Sequence, residues 1–332
     1  MAIVPGTDPA ALRDAAARLA AGELVAFPTE TVYGLGARAD DDAAVARIYA
    51  AKGRPSDHPL IVHLADAAAA DAYAATIAAP ARRLMDAFWP GPLTLIVPRR
   101  EDCGRAAAAG QSTIGLRVPA HPVALALLRE AAQHGVSGVA GPSANRHGRV
   151  SPTSAAHVEA EFGPGLTVVD GGNCAVGIES AIVDCSRGQP ALLRPGQIGR
   201  AAIEAVLGQA LAAPDAASPR APGTLASHYA PAARVELLDT VALRHRLEHP
   251  AALGGARVGV YSRLALAPGE PGLAGSGWVV RVMPDDAAAA AHELFAVLRG
   301  FDEAGVAAIW VESPPPGPAW DGVRDRLQRA AA

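Results

Sequence analysis

The sequence predicts an α/β protein built from two domains, and three observations carry this prediction. At 332 residues the chain has room for about two domains of roughly 100–200 residues each. Short apolar runs typical of strands alternate with Ala-rich segments typical of helices, a pattern that indicates a substantial sheet with helices on it. The run from 212 to 231 is rich in Pro, Ala, Ser and Gly, which indicates a linker that crosses the surface.

The elements follow from these patterns in chain order. A helix is predicted over 10–19, and strands are predicted at 23–27, 59–64, 93–97, 113–118, 167–169 and 181–183. Beyond the linker, strands are predicted at 234–238, 256–262, 277–283 and 306–313, with a helix over 287–305 and a last helix after them. The predicted organisation is a first domain over 1–208, a linker over 209–233 and a smaller α/β domain over 234–332.

Composition excludes several classes of protein. A net charge of -4 and a pI near 6.2 argue against a broad basic face for nucleic acid. The three cysteines, Cys103, Cys174 and Cys185, have neither disulfide-framework nor zinc-ligand spacing. No leader and no apolar run of ~20 residues is present, so we expect a cytoplasmic protein without a membrane segment.

The stretch KGRPSDHP concentrates cations at a stiff turn. Lys52 and Arg54 follow a helical pattern over 43–51, prolines bound the turn, and His58 lies beyond it. One interpretation is that they are solvated charges that complement a helix C-terminus. The other is that the three groups converge on a polyanion, with phosphate as the obvious candidate because Arg offers a forked donor and Lys a point charge.

Two charged or titratable residues lie within apolar strands. His63 in PLIVHL is either a core residue or, since alternation places it with Ile61 on one face, a residue that points into a cleft. Arg117 in TIGLRV cannot stay buried without a partner. A ligand anion is one possible partner, and an internal pair with Glu30 or Glu179 is the competing explanation.

Glycine-rich and hydroxylated stretches complete the set of candidates. Ser143, Asn145 and Ser151 stand in GPSANRHGRVSPT among glycines and three basic groups, which suits close backbone approach to an anion. Ser151 and Pro152 are equally typical of a helix start with Pro at the first helical position. Ser180 beside Glu179, and Arg194 before a proline, are unspecific alone.

Known catalytic and nucleotide motifs fit poorly. Gly34, Gly36 and Ala39 lie in a predicted turn between a strand and a helix and imitate the dinucleotide fingerprint GxGxxA, but Pro28 interrupts the approach and no acid ends a second strand. A GxxxxGK[ST] loop is absent, and Ser143 lacks the GxSxG context of a nucleophile. Hydroxyls, Arg, Lys and His with few candidate general bases favour phosphoryl or nucleotidyl chemistry.

Seven blocks together carry a resemblance to a known family. PTETVYGLG, KGRPSDHPLIVHL, GPLTLIV, TIGLRVPAHP, GPSANRHGRVSPT, GIESAIVD and LLRPG occur in this order over about 10–200. The chain resembles the YrdC-like threonylcarbamoyl-AMP synthases, and APGTLASHYAP before an α/β segment resembles their longer, two-domain form. The resemblance implies a twisted mixed-sheet domain with a central anion-binding cleft and a smaller Rossmann-like α/β domain.

The resemblance also implies a reaction and its partners. L-threonine, bicarbonate and ATP would give threonylcarbamoyl-adenylate and pyrophosphate, for modification of an adenosine in tRNA by a separate transferase. Mg²⁺ would accompany ATP on its phosphate oxygens, with no metal ligand expected from the protein. Neither a membrane nor stable nucleic-acid binding is expected.

Residue by residue, the resemblance gives Lys52 and Arg54 the catalytic role of neutralising the triphosphate and the carbamate. Threonine would be bound by Thr31, His63, Arg117, Ala140 and Ser180. ATP would be bound by Arg54, His58, Thr113, Pro142, Ser143, Asn145, Ser151, Arg194 and Tyr229, the last as part of a lid. Two departures are Gly141, where many relatives are expected to carry Ala, and a linker without basic residues before HYAP.

Two other classes of function stay open at this point. An RNA-binding module would use a concave basic surface, against which stand the net charge and the shortage of aromatic residues for stacking. A maturation enzyme that uses carbamoyl phosphate would use a similar cleft. Enzymes of that kind carry zinc-finger-like cysteines upstream, and this sequence has none.

Overall fold

The computed structural model describes residues 3–224, 227–249, 257–264 and 278–332. The predicted beginnings of two strands, at 256 and 277, and linker positions 225–226 lie outside these residues. The chain divides into two compact units. The first comprises Met1–His147 with Ser151–Thr224, and the second comprises Gly148–Val150 with Leu225–Ala332.

Over the described residues, the first unit is organised around one ten-stranded mixed sheet. The strands are β1 (Ile3–Pro5), β2 (Val25–Phe27), β3 (Gly34–Arg38), β4 (Ile61–His63), β5 (Leu93–Pro98), β6 (Thr113–Arg117), β7 (Val139–Ala140), β8 (Thr167–Asp170), β9 (Ala181–Asp184) and β10 (Ala191–Arg194). Their spatial order is β1-β8-β2-β3-β7-β4-β6-β5-β9-β10. Parallel β4 and β6 and antiparallel β5 and β6 lie at its centre.

The first unit has six described helices, and four of them begin at a residue whose side chain accepts a backbone N–H. They are α1 (Pro9–Ala20), α2 (Asp42–Lys52), α3 (Ala79–Phe88), α4 (Pro122–Gln133), α5 (Ala155–Phe162) and α6 (Arg200–Leu207). Asp8 and Asp41 accept backbone N–H groups at the starts of α1 and α2, which satisfies donors that have no partner inside a helix. Gly53 ends α2 in a left-handed conformation, φ 62°, that suits glycine.

The second unit contains a smaller, all-parallel sheet. Its described strands are β11 (Arg234–Leu238), β12 (Val258–Ser262), β13 (Val279–Val282) and β14 (Ala308–Glu312), in the order β11-β14-β12-β13. Its described helices are α7 (Thr240–Glu248), α8 (Ala287–Glu303) and α9 (Asp321–Ala330). A mixed sheet followed by a parallel sheet, each with helices, confirms the predicted α/β class.

The predicted glycine turn after Pro28 is wrong in one respect. Gly34 and Gly36 lie inside β3, which pairs antiparallel with β2, so they do not form a strand-to-helix phosphate turn. A side chain has little room at either position: a Cβ on Gly34 would stand 3.1 Å from the ring of Phe27, and one on Gly36 would stand 2.9 Å from Val139 and 3.0 Å from that ring. The dinucleotide fingerprint is therefore excluded by topology.

The two parts of segment 209–233 belong to different units. The part up to Thr224 clusters with the first unit, where Ala212 bridges to Ala191 and Arg187 pairs with Asp215 at 2.8 Å. The part from His228 onward belongs to the second unit, where the backbone N–H of Ala230 donates to the carbonyl of Gly148. Across the part of the chain that the structure describes, none of the helices has the length and hydropathy of a bilayer-crossing segment.

Candidate functional site

The first unit brings two of the predicted threonine-binding residues side by side in its sheet. β4 and β6 pair in parallel with His63 in register with Arg117, so both side chains leave the same face. His63 is buried, and its ring meets Phe27 edge-on with centroids 5.5 Å apart. Burial, reinforced by the Arg117 charge, lowers the pKa of His63 to about 3, so the imidazole is neutral.

The position of His63 leaves room beside one ring nitrogen. A Cβ on Gly141 would stand 3.0 Å from His63 Nδ1, and that atom has no hydrogen-bond partner among the described residues. A buried, unsatisfied ring nitrogen is costly unless a ligand or water meets it. Gly141, the departure noted in the sequence, therefore keeps space open at this nitrogen.

Arg117 has an internal acidic partner, as one of the two sequence interpretations held. Its Nη2 lies 2.7 Å from Glu30 Oε1, its Nη1 donates to Thr31 Oγ1 at 3.0 Å, and its Nε donates to the carbonyl of Gly91 at 3.2 Å. Glu179, the other proposed partner, accepts instead from the hydroxyl of Ser151. Arg117, Glu30 and Thr31 thus form one buried polar group beside His63.

Lys52 is not a solvated charge at the end of a helix, so that interpretation was wrong. The side chain is only 3% exposed, and its ammonium donates to the carbonyl of Ser143 at 2.6 Å and to that of Asn145. Burial lowers the pKa of Lys52 well below its ordinary value, and the nearby Arg54 charge adds to the effect. The end of α2 is therefore tied to the loop that carries the two predicted ATP-binding residues.

Around the turn after α2, further nitrogen-bearing groups gather. Arg54 is buried and donates from Nη2 to the carbonyl of Pro59 at 3.0 Å. The rings of His58 and His147 lie 5.5 Å apart. Burial and then the Arg54 charge lower the pKa of each imidazole. We call the set of Lys52, Arg54, His58 and His147 the cationic turn, and the permanent charge of the Arg54 guanidinium gives it a positive potential that favours anions.

The loop after β7 is shaped by backbone hydrogen bonds. Ala140 pairs with Ala37 and Val62. The carbonyl of Pro142 accepts from the N–H of Leu35 at 2.7 Å, and Ser143 forms an isolated bridge with Gly34. Pro142 and Ser143 are held in this way against β3, next to the cationic turn.

Ser151 does not start a helix, which corrects that interpretation. α5 begins at Ala155, and Ser154 is its cap, with its hydroxyl accepting from the N–H of His157. The stretch SPTS contains two serines able to cap, and the second one is used. Ser151 is buried, and its hydroxyl donates to the carboxylate of Glu179.

Ser180 and Arg194 meet on the far side of β5. Arg194 donates from Nε to the carbonyl of Ser180 at 3.0 Å and from Nη2 to its hydroxyl at 3.2 Å. Its Nη1 donates to the carbonyl of Pro222 at 3.0 Å. Thr94, which sequence reasoning did not single out, completes the cluster with its hydroxyl 2.8 Å from that of Ser180.

Two predicted ATP-binding residues lie apart from these clusters. Thr113 begins β6, four residues from Arg117, and lines a cavity of about 560 Å³ with Gln111, Arg187 and Ser218. Tyr229 belongs to the second unit, where its buried ring lies 5.5 Å from that of Phe295 under the guanidinium of Arg326.

Among the described residues, no group of three or more His, Cys, Asp or Glu side chains is placed to hold a metal ion. Glu30 and Glu179, the carboxylates next to the predicted site residues, are engaged by Arg117 and Ser151.

Comparison with protein families covers both units. Residues 17–196 match the family model described as "Telomere recombination", and residues 198–332 match the one described as "Threonylcarbamoyl-AMP synthase, C-terminal domain". The chain belongs to the threonylcarbamoyl-AMP synthase family. The expected resemblance, including the two-domain form, is confirmed.

Individual members of the threonylcarbamoyl-AMP synthase family align along nearly the whole chain. The Bacillus subtilis threonylcarbamoyl-AMP synthase is 40% identical, over 96% of this chain and 92% of its own. The Pyrococcus abyssi threonylcarbamoyl-AMP synthase is 38% identical, over 96% and 94%. The crystal structure of P. abyssi Sua5 complexed with L-threonine superposes with a TM-score of 0.85 at 37% identity, covering 96% of this chain and 94% of that one.

Proposed function

We propose that the protein is an L-threonylcarbamoyladenylate synthase, which condenses L-threonine, bicarbonate and ATP and releases pyrophosphate. Near full-length similarity to two proteins of that name supports the activity, and a relative crystallised with L-threonine supports the amino-acid substrate. One observation in this chain carries the proposal. In the first unit, the neutral, buried imidazole of His63 and the guanidinium of Arg117 leave the same face of the sheet. The turn after α2, which belongs to the cationic turn, leads directly into β4, the strand that carries His63.

The dimensions of β6 fit such a product. Thr113 and Arg117 leave the same face of the strand, because they are four positions apart and side chains alternate between faces. At about 3.3 Å per residue they stand roughly 13 Å apart. We assign the amino-acid end of the ligand to Arg117 and the nucleotide end to Thr113, which leaves the reacting carbamate and α-phosphate between them.

In the reaction, an oxygen of the threonine carbamate attacks the α-phosphorus of ATP. The bond from that phosphorus to the oxygen that bridges to the β-phosphate breaks, and pyrophosphate leaves with the electron pair. We assign Lys52 and Arg54 to the neutralisation of charge on the triphosphate and the attacking carbamate. Such positioning and electrostatic stabilisation account for most of the catalysis in phosphoryl and nucleotidyl transfer.

The threonine end is assigned to buried polar groups. Neutral His63 offers a ring nitrogen with space beside it, Arg117 and Thr31 supply donors, and Ala140 contributes its backbone. Ser180 supplies a hydroxyl. Because these groups are buried in advance, a bound carbamate would be kept from water, in which such carbamates fall apart readily.

The nucleotide end is assigned to the residues around the cationic turn and the following loops. They are Arg54, His58, Pro142, Ser143, Asn145 and Ser151, together with Thr113 on β6 and Arg194 on β10, and the role expected for Tyr229 stays a prediction. Mg²⁺ is proposed to enter with ATP, because phosphate oxygens are the ligands through which this ion usually binds. The ion would supply neutralisation of phosphate charge there.

The product fits a sequence of two enzymes. A mixed anhydride of a carbamate and a phosphate is an activated acyl donor, so a nucleophilic amine must consume it. We propose that a transferase that acts on the adenosine amine of tRNA is the downstream partner, and that the protein works in the cytoplasm with it.

The proposal is tested by following the carbon of bicarbonate. Purified protein is incubated with ATP, Mg²⁺, L-threonine and ¹⁴C-bicarbonate, and the products are separated rapidly. Label in a species that also contains AMP and threonine is expected. Label absent from every adenylate, with intact folded protein, would overturn the proposed activity.

A further inference from the structure

A third strand extends the row formed by His63 and Arg117. β5 and β6 pair antiparallel with Leu95 opposite Leu116, so the next position along the register places Thr94 opposite Arg117. Residues directly opposite one another on neighbouring strands share a face of the sheet. Thr94 therefore stands in the same row, on the same face, as the two sheet residues assigned to threonine.

The hydroxyl of Thr94 has one hydrogen-bond partner among the described residues. Thr94 is 0% exposed, and its Oγ1 lies 2.8 Å from Ser180 Oγ. Over the described ranges this is the hydrogen bond that its hydroxyl makes. Either hydroxyl could donate in this pair; because Thr94 has no other acceptor among the described residues and Ser180 is assigned to contact the ligand, the arrangement that satisfies both hydrogens has Thr94 donating to Ser180 Oγ.

In this arrangement the hydroxyl hydrogen of Ser180 remains available for a ligand. A serine hydroxyl has two lone pairs and one hydrogen. Thr94 occupies one lone pair and Arg194, which donates from Nη2 at 3.2 Å, occupies the other. Ser180 can then act toward a ligand only as a donor.

We infer that Thr94 is a positioning residue that fixes Ser180 as a hydrogen-bond donor to the carboxylate of threonine. This inference rests on the proposed function. A carboxylate is an acceptor only, whereas the threonine hydroxyl can accept or donate, so a site locked as a donor matches the carboxylate. The assignment decides between the two groups of threonine that Ser180 could meet.

The first experiment is a double-mutant cycle read by calorimetric binding of L-threonine. Thr94→Val keeps the shape of the side chain and removes the hydroxyl, so we expect affinity to fall about 10-fold. Ser180→Ala should cost a similar factor. In the Ser180→Ala background, Thr94→Val should change affinity less than 2-fold, because its effect passes through Ser180.

Matched controls separate positioning from general damage. Thr94→Ser keeps the hydroxyl and is expected to bind L-threonine as the unaltered protein does. Thr167→Val makes the same change on β8 of the same sheet and should leave affinity unchanged. If Thr94→Val does not fold, Thr94→Cys, whose thiol is a weak donor, replaces it with the same expectation.

The second experiment removes the carboxylate from the ligand. L-threoninol carries a neutral alcohol in its place, which accepts a weaker hydrogen bond than a carboxylate does, so Ser180→Ala should weaken its binding by a clearly smaller factor than the 10-fold or so expected for L-threonine. Equal losses for both ligands, or additive effects of Thr94→Val and Ser180→Ala, would overturn the inference. If the unaltered protein bound no L-threonine at all, the proposed function itself would fail first.

Discussion

Lys52 Nζ lies 2.6 Å from the carbonyl oxygen of Ser143, so the last residue of α2 holds the loop that follows β7. The same ammonium reaches the carbonyl of Asn145. Both contacts are to neutral carbonyl oxygens, and Arg54 lies close enough to oppose the charge. Lys52 is therefore fixed in place with a low pKa before any ligand arrives.

This arrangement predicts proton uptake when ATP binds. A triphosphate beside Lys52 favours the charged ammonium and raises the lowered pKa back toward its usual range. Up to one proton should be taken up per ATP bound in the pH range where Lys52 is deprotonated in the free protein. Calorimetry in two buffers with different ionisation enthalpies measures it.

The matched variant for this test is Lys52→Gln, which keeps a donor without a titratable amine. We expect its ATP binding to lose the dependence on buffer. An unaltered protein whose binding enthalpy is the same in both buffers would contradict the assigned contact between Lys52 and phosphate.

Arg54→Ala is expected to reduce pyrophosphate release at least ~100-fold, the loss typical when one preorganised donor to a transition state is removed. Arg54→Lys keeps the charge but not the planar fork, so it should recover only part of the rate. Arg82→Ala, on the exposed side of α3, is the control and should keep the full rate. Steady-state release assays measure all three, and an active Arg54→Ala protein would remove Arg54 from the catalytic role.

His63 should make the first unit sensitive to acid. Its pKa in the folded protein is about 3, below the ordinary value of 6.5. The free energy of unfolding is therefore highest above pH 6.5. It decreases as the pH falls from 6.5 toward 3, because the unfolded chain binds a proton that the folded protein does not. Between pH 6.5 and 5 the loss is about 2 kcal/mol, at 1.36 kcal/mol per pH unit. Urea unfolding at pH 7 and pH 5 measures it.

His63→Gln should flatten this dependence, because the amide cannot be protonated in the unfolded chain. His134→Gln, whose side chain is 42% exposed, should follow the unaltered protein. An equal loss of stability at pH 5 in the unaltered and His63→Gln proteins would show that another group governs acid unfolding.

Gly196→Ala should destabilise the first unit by roughly 1–3 kcal/mol, the usual cost of overpacking. A Cβ there would stand 2.3 Å from the backbone nitrogen of Ala181, next to Ser180. Gly188→Ala is the matched control, since nothing lies within 4 Å of its Cβ. Thermal unfolding distinguishes the two, and equal melting temperatures would mean that the turn after Arg194 can shift without cost.

Sequence patterns predicted the class of fold because apolar residues recur along the strands and helices of this chain with the spacing typical of each element. The helix at 287–305 was found at Ala287–Glu303, and the strand at 234–238 at Arg234–Leu238. β1 and β7 were not predicted, because strands of two or three residues are too short to show an alternating apolar pattern. β3 was missed because its glycines look like a turn, and the limited room for a side chain there, beside the ring of Phe27, comes from the neighbouring strand.

Individual site residues were harder to predict because their partners are distant in sequence. The unpaired-charge argument required a partner for Arg117, but only the fold selects Glu30 over Glu179. His147 was noticed only as one of three basic groups, and its approach to His58 depends on how two loops meet. Thr94 gave no sequence signal beyond its block, since its place opposite Arg117 is a property of strand register.

The central claim is that one protein joins threonine, bicarbonate and ATP, and pyrophosphate release with each substrate omitted in turn tests it most directly. We expect release with all three present and only background release when either threonine or bicarbonate is left out. Undiminished release in the absence of threonine or bicarbonate would contradict the account.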